Sequence, residues 1–309
     1  MRIKILGSAA GGGFPQWNCG CRHCAALRSG TFRGQRRTQI QLALSGDDRA
    51  WFLLNASPDL RIQIEATPAL HPRGATRDSP ISGVLLTSGD IDQIAGLLSL
   101  RELQPFRIYC TASIRQILQG DNSMFGMLNR VPGQVSWTEI GCDASFPLLT
   151  INGDDLGMVC TVFPLGSRYP PYVSRARAAT LKTEEALLGL IVTSLSGRRL
   201  AYLPAVPALD LALIARLESS DLLLFDGTFW SDDELIKVQG IGATAREMGH
   251  VPVSGADGSL RALAGLRRPR KVFVHLNNTN PILDESGPQY REVREAGWEV
   301  AEDGWSFEL

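Results

Sequence analysis

The 309-residue chain has no apolar run approaching the roughly 18 residues that a membrane-spanning helix requires. Its first residues, MRIKILGSAAGGGF, lack the apolar core of a signal peptide, because Ile3–Leu6 runs straight into glycines. Neither charge is in excess: 31 Lys and Arg stand against 32 Asp and Glu, for a formal net charge of −1. No basic surface for nucleic acid and no acidic solvating arm is therefore expected. Internal repeats, low-complexity tracts and a clear interdomain linker are absent, so one domain over residues 1–309 in the cytoplasm is expected, with no membrane contact. Histidine is scarce, with only four residues, His23, His71, His250 and His275.

What is present is apolar. A hydrophobic content of 44% against 20% charged residues permits a sizeable core and argues against global disorder. Ile3–Leu6 reads as a first strand, entering the glycine-rich stretch Gly7–Gly13. Thr38–Leu44 and Ala50–Asn55 read as a hairpin turning at Gly46-Asp47-Asp48. A helix start is expected at Ser57-Pro58-Asp59. Ile81–Thr87 reads as a buried strand that passes through Ser88-Gly89-Asp90 into a helix over Ile91–Leu103, and Arg107–Cys110 with Ile114–Leu118 repeats the pattern. A β-rich stretch, Val135–Leu165, follows, then a hairpin of Leu188–Ser194 and Arg199–Leu203 around Ser196-Gly197. Leu222–Phe225 ends in Asp226-Gly227, and the strand Lys271–His275 leads into Leu276-Asn277-Asn278-Thr279-Asn280-Pro281. Strand–helix alternation at both ends with hairpins between predicts two mixed sheets covered by helices. Asp90, Asp226 and His275 then fall at strand ends, on one rim. Gly166–Arg177, with adjacent prolines and two tyrosines, reads as a solvated loop or a lid.

Three of the six cysteines sit within six positions, in Cys19-Gly20-Cys21-Arg22-His23-Cys24. A tight thiol cluster in a cytosolic chain points to a metal rather than to disulfides. Three thiolates can occupy three corners of a zinc tetrahedron, and Gly20 lets the backbone fold tightly between them. The fourth ligand stays open among His23, His275 and Asn278. The role would be structural, since a closed sulfur shell leaves no position for substrate.

The segment Thr87-Ser88-Gly89-Asp90-Ile91-Asp92-Gln93 resembles the His-x-His-x-Asp-His motif of the metallo-β-lactamase superfamily. Ser88 and Asp90 stand at the first two histidine positions, Asp92 keeps the aspartate, and Gln93 replaces the last histidine. The resemblance narrows to the coenzyme PQQ synthesis protein B family through GSAAGGGFPQWNCGCRHC, NASPDLR, GLLSLRE, LFDGTFWSDDE, MGHVPVSG and VFVHLNNTNPILDE. It implies an αββα sandwich of two mixed sheets flanked by helices, with Cys19, Cys21 and Cys24 as a structural zinc site. It further implies Asp90, Asp92 and His275 as active-site metal ligands. Asp92, Gln93, His250 and Asp226 would be catalytic, and Asn277 and Asn278 would bind the ligand. The family has histidine at the position of Gln93, and a neutral amide is a poor transition-metal ligand beside imidazole.

Residue chemistry alone leaves other readings open. Asp90 and Asp92 would also suit a helix N-terminus, His250 the end of a helix over Ala243–Met248, and His275 a hydrogen-bonded core. A dinuclear zinc hydrolase needs about five histidines at its metals, which four cannot supply. A mixed carboxylate and imidazole set with open positions suits Fe(II). The resemblance implies hydroxylation of the tyrosine ring of a Glu–Tyr-derived precursor of pyrroloquinoline quinone (PQQ). The competing expectation is a carrier for PQQ or its precursor, and a phosphodiesterase-type hydrolase ranks last. Oligomeric state is not readable, and a homodimer stays open.

Overall fold

The computed structural model describes residues 1–74 and 76–309. Among the described residues fourteen strands alternate with short helices: β1 Arg2–Gly7, β2 Gln41–Ser45, β3 Trp51–Leu54, β4 Ile81–Leu85, β5 Phe106–Cys110, β6 Val135–Glu139, β7 Ser145–Leu149, β8 Asp155–Gly166, β9 Leu187–Ser194, β10 Arg199–Leu203, β11 Leu222–Asp226, β12 Arg270–Val274, β13 Trp298–Val300 and β14 Ser306–Glu308. They fall into two compact units, one of Met1–Leu6, Gln41–Arg198 and Gly304–Leu309, the other of Gly7–Ile40 and Arg199–Asp303.

In the first unit one sheet runs β14-β1-β2-β3-β4-β5-β6. β2 and β3 form the expected antiparallel hairpin, pairing Leu42 with Leu54, and β3, β4, β5 and β6 run parallel. β3 and β4 are largely apolar on both faces, as parallel strands covered by helices are. Leu53, Val84 and Ile108 are fully buried and pack with Leu97, Ile114 and Leu118 from the crossover segments. β7, β8 and β9 form an antiparallel meander in the same unit.

The helix expected over Ile91–Leu103 is instead a single α turn, Ile91–Ile94, followed by a 3₁₀ stretch, Ala95–Arg101. The reason is tertiary. The Ala56 N–H donates to the Gln93 carbonyl, and the Gly96 N–H donates to the Ala56 carbonyl. A Cβ on Gly96 would lie 2.1 Å from the Ser57 carbonyl oxygen. Docking the turn against this backbone overrides local helix propensity.

The second unit is built on the parallel strands β10, β11, β12 and β13. β11 is buried along its whole length. Its register sets Asp226 opposite Val274, so Asp226 and His275 emerge at the same end of adjacent strands. The glycine-rich stretch joins this end through Leu276, whose N–H donates to Ser8 and whose carbonyl accepts from Ala10. The helix envisaged over Ala243–Met248 is not formed. The N–H groups that would start it, from Ala245 and Arg246, donate to the backbone and side chain of Asp232, and a turn ends at Gly249 with φ +90°.

Candidate metal centres

Among the described residues, two groups bring three or more ligand-type side chains within 4.8 Å of one another: Cys19, Cys21 and Cys24, and Asp226, His250 and His275. Both belong to the second unit.

The cysteine loop is shaped by its own backbone. Cys21 precedes the helix Arg22–Arg28 and Cys24 lies in its first turn, where the positive end of the helix favours thiolate. Arg28, in the last turn, reaches back to the carbonyls of Gln16 and Cys19. Without a cation the thiols are unevenly disposed. Burial pushes Cys24 up to about 11. Cys19 is held below its ordinary value, because N–H and thiol donors from Cys21 and its neighbours override its burial. Asn278 closes the cluster, with its Nδ2 at 3.2, 3.6 and 3.4 Å from the sulfurs of Cys19, Cys21 and Cys24. Zn–S bonds of about 2.3 Å and a Zn–O bond of about 2.1 Å at tetrahedral angles place the oxygen roughly 3.5 Å from each sulfur. The Asn278 amide thus stands at the fourth corner of a tetrahedron. His23 instead lies tilted against Phe32, 5.3 Å between ring centroids, and burial lowers its basicity.

The second group centres on Asp226, which is fully buried. Its Oδ1 accepts from the Thr228 N–H at 3.0 Å and the Thr228 hydroxyl at 2.6 Å. Its Oδ2 accepts from the Val206 N–H and from His250 Nδ1–H, both at 2.8 Å. Burial opposes the charge, yet the adjacent His250, with His275 and Thr228, holds the carboxyl below the usual carboxylate range. Since the Thr228 hydroxyl donates to Asp226, it can only accept from the imidazoles, whose Nδ1 atoms lie 2.8 Å (His275) and 3.0 Å (His250) away. Both rings therefore carry a proton on Nδ1, and in a neutral imidazole so held Nε2 holds the lone pair. The rings stack at 5.3 Å with an interplanar angle of 25°. A carboxylate behind a histidine, fixing its tautomer, is the arrangement found behind metal-bound imidazoles. In that arrangement Asp226 orients and the histidines ligate.

His275 has φ +58°, a left-handed conformation that costs a non-glycine residue of order 1–3 kcal/mol and persists only where its surroundings impose it. The segment after it is fastened at each residue. The Asn277 N–H donates to the Thr228 carbonyl, Asn277 Nδ2 donates to Thr279 Oγ1 at 2.6 Å, and Asn280 Nδ2 donates to the carbonyls of Gly227 and Thr228. The Thr279 hydroxyl in turn donates to Glu234. Burial drives Glu234 up to about 7 despite this bond and one from the Trp230 N–H.

Asp90, Asp92 and Gln93 lie in the first unit, at the exit of β4. Asp90 occupies the residue before the short helix but its side chain does not cap it. Its carboxylate accepts from the Ser88 hydroxyl at 2.7 Å. Gln93 is buried, and its Oε1 is 2.8 Å from the Thr87 hydroxyl and 3.1 Å from that of Ser88. The Gly166–Arg177 segment reaches this loop, where the Tyr172 hydroxyl donates to the Gly89 carbonyl. Thr228 and Glu234 were not singled out from sequence. Asp226-Gly227-Thr228 looks like any strand-end turn, and only the register of β11 against β12 shows which side chains the hydroxyl meets.

Fold and site define a class. Residues 50–276 match the β-lactamase superfamily domain, and a diphosphatase of the PhnP family, 18% identical, shares the fold with a TM-score of 0.66 over all of this chain and 97% of its own. That fold is two mixed sheets with flanking helices. Within the class the likeness is specific. The coenzyme PQQ synthesis proteins B of Methylobacterium radiotolerans and Pseudomonas putida are each 44% identical over the full length of both chains. The crystal structure of zinc-bound PqqB from Methylobacterium extorquens, 40% identical, superposes with a TM-score of 0.91 over the whole of both chains. The chain belongs to the coenzyme PQQ synthesis protein B family.

Proposed function

We propose that this protein serves PQQ biosynthesis as an iron-dependent hydroxylase of the tyrosine ring of a Glu–Tyr-derived precursor, with a separate structural zinc. The observation that carries the reading is the pair of stacked imidazoles with both Nδ1 protons committed to Asp226 and Thr228. Two imidazoles and no more suit one metal, not the two of a hydrolase. The zinc reading is supported by three sulfurs capped by an amide, and by the zinc-bound relative. A cation there would draw in Oδ1 of Asn278, by a half-turn of the amide that now donates.

Iron(II) held by His275 and His250 would supply the capacity to activate dioxygen. The assignment of Asp90 and Asp92 as further ligands, with Asp92 and Gln93 catalytic, is kept as part of this proposal and rests on the family motif. The chain's own residues do the remaining work. Asp226 keeps both rings in one tautomer, and Thr228 passes that constraint to His275. In the overall reaction a ring C–H becomes C–OH with one oxygen atom of O₂. The other atom leaves as water, with two protons and two electrons from an external two-electron reductant.

A second reading, a carrier of PQQ or its precursor, is favoured by Gln93, whose carbonyl oxygen already accepts from the Thr87 hydroxyl. The test is anaerobic purification, loading with Fe(II), and measurement of bound iron and oxygen uptake with a Glu–Tyr-type diamino acid. One iron per chain and a product heavier by oxygen support the hydroxylase. No iron uptake together with tight binding of the finished quinone supports the carrier and overturns it.

A further inference from the structure

The turn 275–280 carries one side chain from each candidate centre. His275 belongs to the imidazole pair, and Asn278, three residues on, seats its amide on all three cysteine sulfurs. Between them the backbone leaves the strand through a left-handed residue that is not glycine. Such a conformation relaxes unless several contacts impose it together. Four do so here. Leu276 is clamped by Ser8 and Ala10, and Asn277 donates to Thr228. Thr279 donates to Glu234. The fourth contact is Asn278 on the thiols, the one contact in the set that depends on the state of reactive groups.

We propose that Asn278 is a positioning residue that couples the two centres, so that the condition of the cysteine cluster sets the geometry of His275. With the cluster closed around a cation, the amide is held at its corner and the turn is locked. With the thiols oxidised or alkylated, the amide loses its seat and His275 leaves the tautomer-fixing hydroxyl of Thr228. The inference rests on the two-centre reading above and adds a direction of control, from the sulfur site to the imidazole site.

The test uses the full chain in three forms: wild type, Asn278→Ala, and Asn278→Asp, which keeps an oxygen at the tetrahedral corner. Hydrogen exchange of the Leu276 and Asn277 amides is read with one zinc bound, and again after chelation. In parallel, Co(II) affinity of the imidazole centre is measured by competition with a chromophoric chelator. In wild type, zinc removal is expected to raise exchange at both amides at least tenfold and to weaken the Co(II) site by about 10–100-fold. Asn278→Ala should show the fast exchange and the weak Co(II) site even with its zinc retained, and Asn278→Asp with zinc should restore both. Exchange in Asn278→Ala equal to wild type overturns the coupling. If wild type binds no Co(II) at the histidines, the hydroxylase reading fails, and exchange alone still decides the coupling. If it takes no zinc, exchange is read in wild type before and after alkylation of the thiols, and an unchanged rate overturns the coupling.

Discussion

Replacing Thr228 by valine removes one hydroxyl and almost no volume, and that hydroxyl is where Asp226, His250 and His275 meet. Without it the His275 Nδ1–H, on a ring only 5% exposed, loses its acceptor, and Asp226 loses one of its four donors. Leaving one buried donor unsatisfied costs about 1–3 kcal/mol. For a chain of this length that corresponds to a fall in melting temperature of roughly 2–12 °C, at some 2–4 °C per kcal/mol. The metal effect is separable from this loss. With its Nδ1 partner gone, the His275 tautomer is no longer fixed by Thr228, and losing such a partner typically costs 10–100-fold in metal affinity. Chelator competition with Co(II), alongside thermal melts of the metal-free protein, measures both. Thr228→Ser, which keeps the hydroxyl, should recover the affinity. If Thr228→Val binds Co(II) like wild type, the hydroxyl does not fix the tautomers and the histidines are not metal ligands of the kind described.

Cys21→Ser should release about one zinc per chain, as read by elemental analysis, and lower the melting temperature; unchanged zinc content would remove the structural-site claim. Gln93→Leu takes the 2.8 Å acceptor from the Thr87 hydroxyl, but Thr87 can turn to Asn55 Oδ1 and Ser88 keeps Asp90, so the loss in denaturant unfolding should be only about 0.5–1.5 kcal/mol; a loss above about 3 kcal/mol would mean that neither hydroxyl finds its other acceptor. Glu234 binds its proton more tightly in the folded chain, at about 7 against an ordinary 4.5. Its contribution to stability is therefore full below pH 4.5 and is lost as pH rises through 7. Glu234→Gln should flatten the decline in stability over that window, and an unchanged slope would assign the decline to other groups.

Much of this was legible in the sequence. The apolar strands and their polar exits were, because a buried strand needs an unbroken apolar run while the residue that follows it need not be apolar. The cysteine cluster was, because three thiols in six positions have few other uses. Two kinds of feature were not. The helix after β4 was shortened by a backbone contact at Gly96 with Ser57, nearly forty residues away in the chain, which no local period encodes. The role of Thr228 depended on parallel register, which brings His275 beside a hydroxyl 47 positions earlier. Likewise Asn278 was one of three open choices for the fourth corner until the fold placed its amide against the sulfurs.

The central claim is that one chain keeps two chemically different centres apart. X-ray absorption at the zinc and iron edges of protein loaded with one equivalent of each tests it directly. The expected spectra show zinc with about three sulfur neighbours near 2.3 Å and one lighter atom, and iron with only nitrogen and oxygen neighbours. Sulfur around the iron, or a zinc shell of nitrogen and oxygen alone, would contradict it.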